Sequence, residues 1–190
     1  VGNATLDANT TADNNTAIGN QALSANTTGS LNVGVGTLAL TANTTGIQNV
    51  AVGVEALDTN TTGSYNTALG AGALFSNSTG ANNVAVGLEA MRNTTGGNST
   101  CIGYKAMREA TGSNNVAVGA ESMEVTTSGT QDVFVGMYSG TSLTSAINCT
   151  GVGYAALDEV TTGSENTSLG SASGGAVTTG TSNTFIGYLS

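Results

Sequence analysis

The sequence predicts an all-β fold, a parallel β-solenoid (β-roll) of about twelve 17-residue coils that spans residues 1–190 as a single repeat array. Three observations lead to this prediction. A glycine recurs at a fixed period, a segment with alternating polarity precedes each of these glycines, and a turn-like segment rich in Asn and Thr follows. Self-similarity at a fixed period is typical of repeat architectures in which each unit stacks on its neighbours.

The recurring glycine closes each unit of the array. Nine of the eleven spacings between successive members are 17 residues and two are 16, and the two short units lose one residue just before the turn, in "MRNTTG" and "MREATG". We therefore expect a strand of fixed register beside a surface turn that tolerates a change in length. The repeat-closing glycines are Gly2, Gly19, Gly36, Gly53, Gly70, Gly87, Gly103, Gly119, Gly136, Gly153, Gly170 and Gly187.

The segment before each glycine alternates with period two, as in "NVAVG" at residues 83–87. Val84 and Val86 share one face and Ala85 lies on the other, which predicts a short strand. Stacked strands place like residues over like at about 4.8 Å. The aliphatic face is predicted to form the structural core ladder, supported by a Thr/Val series from Thr16 and a Leu/Met series from Leu23. That core ladder is Ile18, Val35, Val52, Leu69, Val86, Ile102, Val118, Val135, Val152, Leu169 and Ile186.

The opposite face of each strand carries small residues in most units. If the aliphatic face is the core, this column lies outside, where small side chains allow another chain to approach closely. The alternative is a solvated face that is merely small. The column that would make this lateral contact is Ala17, Ala51, Ala68, Ala85, Cys101, Ala117, Phe134 and Phe185.

The "NTTG" segment has the composition of a turn, because Asn and Thr side chains cap local backbone groups and Gly supplies a positive φ. It also creates N-x-(S/T) sequons at Asn9, Asn26, Asn43, Asn60 and Asn77. In a secreted eukaryotic chain such sequons would indicate glycosylation. The simpler interpretation is that the sequon is the repeated turn itself.

Composition argues against several classes of function. Three basic residues stand against twelve carboxylates, for a net charge of −9, so nucleic acid and anionic membranes are disfavoured partners. No apolar run approaches the roughly 18 residues of a membrane span, so no membrane insertion is predicted. With no His and with scattered carboxylates, the sequence predicts neither an enzyme, nor a metal site, nor a cofactor.

Two smaller features concern side chains in neighbouring coils. Lys105 falls between Glu89 and Glu121 in one column, which predicts ion pairs between coils. Cys101 and Cys149 are three coils apart, roughly 14 Å at the spacing of stacked strands. Because a disulfide needs Cα atoms within about 7 Å, both are predicted to be free thiols.

The repeat resembles known fibre proteins. "NNVAVG", at residues 82–87 and 114–119, resembles the "NSVAIG"-type repeat of trimeric autotransporter adhesin heads, and "NTALGAGALFSNSTGANNVAVG" is similar to repeats of phage tail fibres and related bacterial surface fibres. The resemblance implies a left-handed β-roll wound as a homotrimer, in an extracellular location on a virion tail fibre or cell-surface appendage. The present unit is longer than the adhesin-head repeat in its NTTG turn.

From this resemblance we expect the shaft of a structural and adhesive fibre. Its partners would be further copies of the chain, other segments of the same fibre, and a host-surface glycan or protein. Tyr138 and Tyr154 are candidate glycan contacts, with edge packing as the alternative. Because Val1 and Gly2 read as the tail of an interrupted unit, we also expect the chain to be a segment of a longer polypeptide.

Two alternatives remain open. Ranked Thr residues on a β-solenoid are used by some ice-binding proteins, and several plant ice-binding repeats also resemble N-x-V-x-G. Here the Thr file is interrupted by Val at about half its rungs, and we expect it to follow a curved edge. The other alternative is a self-assembling extracellular filament subunit, since plain repeat at both ends has no polar cap.

Overall fold

The computed structural model describes residues 2–190 as one sheet of eleven parallel strands in chain order. This confirms the predicted all-β parallel solenoid, although it makes about ten turns rather than twelve. Val1, part of the interrupted first unit, lies outside the described residues. The strands are β1 Thr16–Ile18, β2 Val33–Val35, β3 Val50–Val52, β4 Thr67–Leu69, β5 Val84–Val86, β6 Thr100–Ile102, β7 Val116–Val118, β8 Val133–Val135, β9 Thr150–Val152, β10 Thr167–Leu169 and β11 Thr184–Ile186.

Each strand pairs in register with the equivalent residues of the next coil, as in Ala51 with Ala68. Hydrogen bonds run in both directions from every coil. The Val50 amide donates to the Asn66 carbonyl of the next coil at 2.8 Å, and the Gly53 amide donates to the Val35 carbonyl of the previous coil at 2.8 Å. Every inner coil is therefore held on both sides, which is what keeps like residues in line.

The repeat-closing glycines stack directly over one another. Their backbone conformation and the closeness of the next coil exclude a side chain at these positions. Gly70 has a φ of 141°, a region that L side chains rarely adopt, and a Cβ there would lie 2.3 Å from the carbonyl oxygen of Gly87. Successive coils thus approach too closely at this corner to admit a side chain. The predicted file of glycines is confirmed.

The core lies between the middle residue of each strand and the Ala–Leu or Ala–Met pair that follows the glycine. Ala51 and Ala68 are fully buried, as are Leu57 and Leu74 on the limb opposite. The predicted burial of the Leu/Met series is confirmed throughout: Leu23, Leu40, Leu57, Leu74, Met91, Met107, Met123 and Leu157 have no exposed surface.

The predicted direction of the strand faces is wrong. The proposed lateral column points into the coil: Ala51, Ala68, Ala85, Cys101, Ala117 and Phe134 are buried, and Ala17 and Phe185 are partly buried. The aliphatic ladder points outward, half-buried or exposed: Ile18, Val35, Val52, Leu69, Val86, Ile102, Val118, Val135, Val152, Leu169 and Ile186. The Thr/Val series from Thr16 points outward with it.

The physical reason is the width of the coil. A Cβ added to Gly34, in the middle of β2, would already lie 3.4 Å from Leu23 Cγ and 3.3 Å from the Ala39 carbonyl oxygen. The Leu of the opposite limb fills the interior, so the strand can contribute only a small side chain. Packing at this density leaves no room for a file of Val and Ile.

Phe134 exceeds this size limit, and two glycines make its burial possible. A Cβ on Gly151, its partner in β9, would lie 2.6 Å from the Phe134 ring, and a Cβ on Gly140 would lie 2.7 Å from it. The ring occupies the space of the two missing side chains. At Cys101 the fit is different, with its Sγ 3.1 Å from the Met107 Sδ.

Two ladders of buried polar residues, which we did not predict, complete the interior. In the turn ladder (Asn26, Asn43, Asn60 and Asn77), Asn43 Nδ2 donates to Asn26 Oδ1 at 2.7 Å and to the Gly46 carbonyl at 3.0 Å. The four sequon amides are thus part of the turn, as the simpler interpretation held. The strand-side ladder comprises Asn15, Asn32, Asn49, Asn66, Asn83, Ser99, Asn115, Asp132, Cys149, Asn166 and Asn183.

The strand-side ladder repeats one pattern of hydrogen bonds. Oδ1 of Asn49 accepts from the amide of Asn66 at 3.0 Å, and Nδ2 of Asn49 donates to the carbonyl of Gly63 at 2.9 Å. Each carboxamide therefore satisfies an amide and a carbonyl of the next coil. Buried amides need such partners, because an unpaired one costs about 1–3 kcal/mol.

Replacing a closing glycine should destabilise the fold strongly. Gly70→Ala is expected to lower the free energy of unfolding by about 3 kcal/mol or more, through positive-φ strain and the clash with Gly87. Chemical denaturation followed by circular dichroism measures this. Gly34→Ala is the matched control, since its Cβ makes no contact below 3.3 Å and its strand partner is already Ala51. Equal losses in the two variants would contradict the prediction.

Candidate functional surface

The outer face of the sheet is an array of two side-chain columns in register. Two residues of each of the eleven strands point outward, and none of them carries a charge. The first column contains six Thr and five Val, and the second is entirely Val, Ile and Leu. The first column is Thr16, Val33, Val50, Thr67, Val84, Thr100, Val116, Val133, Thr150, Thr167 and Thr184, and the second is the aliphatic ladder above.

Exposed apolar residues extend this face around both of its edges. Val54 and Tyr154, each directly after a closing glycine, are both 51% exposed, and Tyr65, just before β4, is also 51% exposed. Ten steps between strands at about 4.8 Å, and a strand width of about 10 Å, give the sheet face alone roughly 500 Å². A contiguous uncharged patch of this size is typical of interaction surfaces.

Charge is concentrated on the limb that packs across the core from the sheet. All three basic residues, Arg92, Lys105 and Arg108, occupy the second or fifth position after a closing glycine. Nine of the twelve carboxylates occupy the second, fifth or sixth position, so the rod has one uncharged side and one charged side. These nine are Asp7, Glu55, Asp58, Glu89, Glu109, Glu121, Glu124, Asp158 and Glu159.

The ion pairs on this limb differ from those expected. The Lys105 ammonium lies over the Tyr104 ring, 4.9 Å from its centroid, instead of bridging Glu89 and Glu121. Arg108 pairs with Glu124 of the next coil at 3.3 Å. Such partly exposed pairs contribute about 0–1 kcal/mol each to the free energy of unfolding, so they add little to the stability of the limb.

The two predicted glycan contacts lie together on one flank of the sheet. The rings of Tyr138 and Tyr154, on adjacent coils, pack edge to face with centroids 5.9 Å apart and planes at 84°. They are 37% and 51% exposed. The pair therefore offers ring surface to solvent and also packs against itself, which is the edge packing weighed as the alternative.

The interior holds two thiols and no assembled reactive group. Cys101 and Cys149 are buried and unbonded to each other, which confirms the predicted free thiols. Burial raises the pKa of both, so both stay protonated near neutral pH. Within residues 2–190 no three His, Cys, Asp or Glu side chains are grouped as a metal site would need. Across the same residues, no helical stretch has the length and hydrophobicity to cross a bilayer.

The sequence analysis did not identify the Thr/Val and aliphatic columns as a surface, because period-two alternation does not show which face of a strand is buried. A signal was available in the sequence: twenty-two positions without a single charge, in a chain whose charges fall elsewhere in the repeat.

Comparison with known proteins gives no match: no family model, no curated protein and no solved structure matches this chain. The solenoid shape itself is compatible with many roles. The features of this chain that bear on function are the uncharged face, the charged limb and the Tyr pair.

Proposed function

We propose that this chain is a shaft segment of an extracellular fibre, on a virion tail or a bacterial surface, in which three copies associate through the uncharged sheet face. The observation that carries the proposal is the outward array of Thr, Val, Ile and Leu along the whole sheet. Burying such an array against other copies removes apolar surface from water, at about 25 cal/mol per Å². The outer columns thus replace the Ala column as the proposed contact between chains.

The area of the face is sufficient for association. Three faces of roughly 500 Å² bury roughly 1,500 Å² in the whole trimer, above the roughly 1,000 Å² expected of a specific interface, and roughly 500 Å² for each pair of chains. In a trimer each chain meets two others, and the exposed residues that flank the sheet add to each contact. The charged limbs point away from such an axis, where they keep the fibre soluble.

The mechanical role follows from the direction of the hydrogen bonds. Parallel strands in register place backbone hydrogen bonds along the rod, and eleven strands at about 4.8 Å extend it by about 50 Å. A load along the axis is shared by every bond between two coils. This arrangement supports a spacer that holds a binding surface away from the particle or cell.

A test of the interface places charge on the sheet face. The double variant Val52→Glu and Val86→Glu is expected to convert trimers to monomers, since an unpaired carboxylate is costly to bury. Sedimentation equilibrium measures the mass, with wild type expected at three times the 18.5 kDa chain mass.

The matched control puts two carboxylates on the charged limb, at Ser142→Glu and Ala176→Glu, which are exposed positions equivalent to Glu109 and Glu159. It should remain trimeric. A monomeric wild type would refute the trimer, and a mass that grows with concentration would favour the end-to-end filament.

The adhesive role is proposed for the Tyr138–Tyr154 pair. If its rings stack on sugar, Tyr138→Ala with Tyr154→Ala should reduce binding to a glycan array at least about fivefold, since each aromatic contact contributes about 0.5–1.5 kcal/mol. Tyr65→Ala is the control, because Tyr65 is equally exposed but distant in the array. Absence of wild-type binding to any surface sugar would leave the chain as a spacer only.

Ice binding is a second candidate, favoured by one observation. The Thr/Val column lies within the strands of the sheet and not in the turn, beside a regular aliphatic column. An array of side chains with a fixed repeat of about 4.8 Å is a surface on which ordered water can be matched.

The ice-binding candidate predicts thermal hysteresis by a monomer, abolished by Val84→Lys at the centre of the face. A trimer would cover this face, so the mass measurement separates the two candidates. No hysteresis at high protein concentration would dispose of ice binding.

A further inference from the structure

The strand-side ladder contains one carboxylate, Asp132, at a position where most coils place Asn. In the preceding coil, Asn115 shows the standard pattern: its Oδ1 accepts from the Asp132 amide at 3.0 Å, and its Nδ2 donates to the Gly129 carbonyl at 2.9 Å. A carboxylate can reproduce the first of these bonds but, when ionised, has no proton for the second.

The geometry at Asp132 follows this expectation. Its Oδ1 accepts from the Cys149 amide at 2.8 Å, whereas its Oδ2 is buried and has no hydrogen-bond partner in the described structure. By the repeat, the carbonyl that would accept from a ladder amide here belongs to Ala146. Asp132 Oδ2 and the Ala146 carbonyl oxygen lie 2.8 and 2.9 Å from the same point, the Cβ position of Gly129. Two acceptor oxygens therefore border the same small space, and Oδ2 has no donor there.

We propose that Asp132 makes the strand-side ladder sensitive to pH, because its hydrogen bond to the Ala146 carbonyl of the next coil forms only when its carboxyl group is protonated. When protonated, its Oδ2–H donates to the Ala146 carbonyl and closes the rung as Asn does. When ionised, the carboxylate and the carbonyl repel, and the contact between the coils of β8 and β9 loosens. The inference does not depend on the fibre proposal, since it concerns the inside of a single chain.

Every group that faces Asp132 is consistent with a neutral carboxyl. The coil before it supplies Asn115, and the turn supplies Gly129, Ala146 and Thr126, none of which titrates. The coil after it supplies the Cys149 thiol, whose Sγ donates to the Gly163 carbonyl at 3.3 Å and whose pKa is raised by burial. Among residues 2–190, no cationic side chain acts on the Asp132 carboxyl to stabilise its charge.

Burial raises the pKa of Asp132 from 3.8 to about 7, and the hydrogen bond from the Cys149 amide only partly offsets this. Because the folded pKa lies above the unfolded one, the folded state binds the extra proton. Its contribution to stability is complete below pH 3.8 and is lost as the pH rises through about 7. Over that window, the equilibrium constant for unfolding should rise by about a thousandfold, tenfold for each pH unit.

The experiment is urea unfolding of wild type and Asp132→Asn between pH 4 and pH 9. Asp132→Asn should remove the rise in unfolding between about pH 4 and pH 7, and at pH 8 it should unfold up to about a thousandfold less than wild type. Asn115→Asp is the reciprocal variant, and it should add a second loss of stability as the pH rises. Glu121→Gln, on the charged limb, is the control and should leave the wild-type profile unchanged. Parallel profiles for wild type and Asp132→Asn would overturn the proposal.

A second measurement holds even if a variant fails to fold. Carbon-13 NMR of folded wild-type protein labelled at the Asp carboxyls should show the Asp132 carboxyl titrating near pH 7. If all Asp carboxyls titrated below pH 5, the rung would be ionised at neutral pH and the proposal would be wrong.

Discussion

The close approach of successive coils at the closing glycine is the constraint from which the rest of the structure follows. At Gly70 a single methyl group would lie 2.3 Å from the backbone of the next coil, so each coil is seated against its neighbour at one corner with almost no freedom. Once that corner is fixed, the period of 17 carries every other position into line. The Leu stack, the Asn ladders and the outer columns are consequences of this one contact repeated along the chain.

A second consequence is that the coil is narrow, and narrowness decides which side chains go inside. The Leu or Met of one limb fills the width available, so the facing strand contributes Ala, Gly or Cys, and its larger residues point out. The larger Phe134 side chain fits inside because Gly140 and Gly151 have no side chains in the space that its ring occupies. Most Asn side chains of this interior form ladders in which each bonds to the next coil, and buried Ser side chains such as Ser122 and Ser139 also pair between coils.

The parts of this architecture that sequence reasoning predicted are those set by period. Gly70 and its equivalents, the strand at Val84–Val86, the buried Leu/Met file and the separation of Cys101 from Cys149 all follow from counting residues. The face of the strand could not be predicted in the same way, because alternation gives two faces and leaves their direction open. The usual preference for burying Val over Ala predicted the wrong face, because the width of the coil interior, and not the hydrophobicity of the side chain, decides which residue is buried. The ladder role of Asn49 was not predicted, because a single unit shows only local partners and the main partners of Asn49 lie in the next coil.

The Phe134 site also bears on how such arrays change length over generations. Repeats of this kind can gain or lose units by unequal recombination, and a coil that matches its neighbours on both sides can be copied or removed without disturbing the stack. The coil of Phe134 cannot, because its ring fits only when Gly140 follows in its own coil and Gly151 in the next. Deleting the unit that carries Gly151 would set Phe134 against Ser168. Units among the amino-terminal coils can therefore be gained or lost without disturbing the stack, whereas the order of the units around Phe134 is fixed.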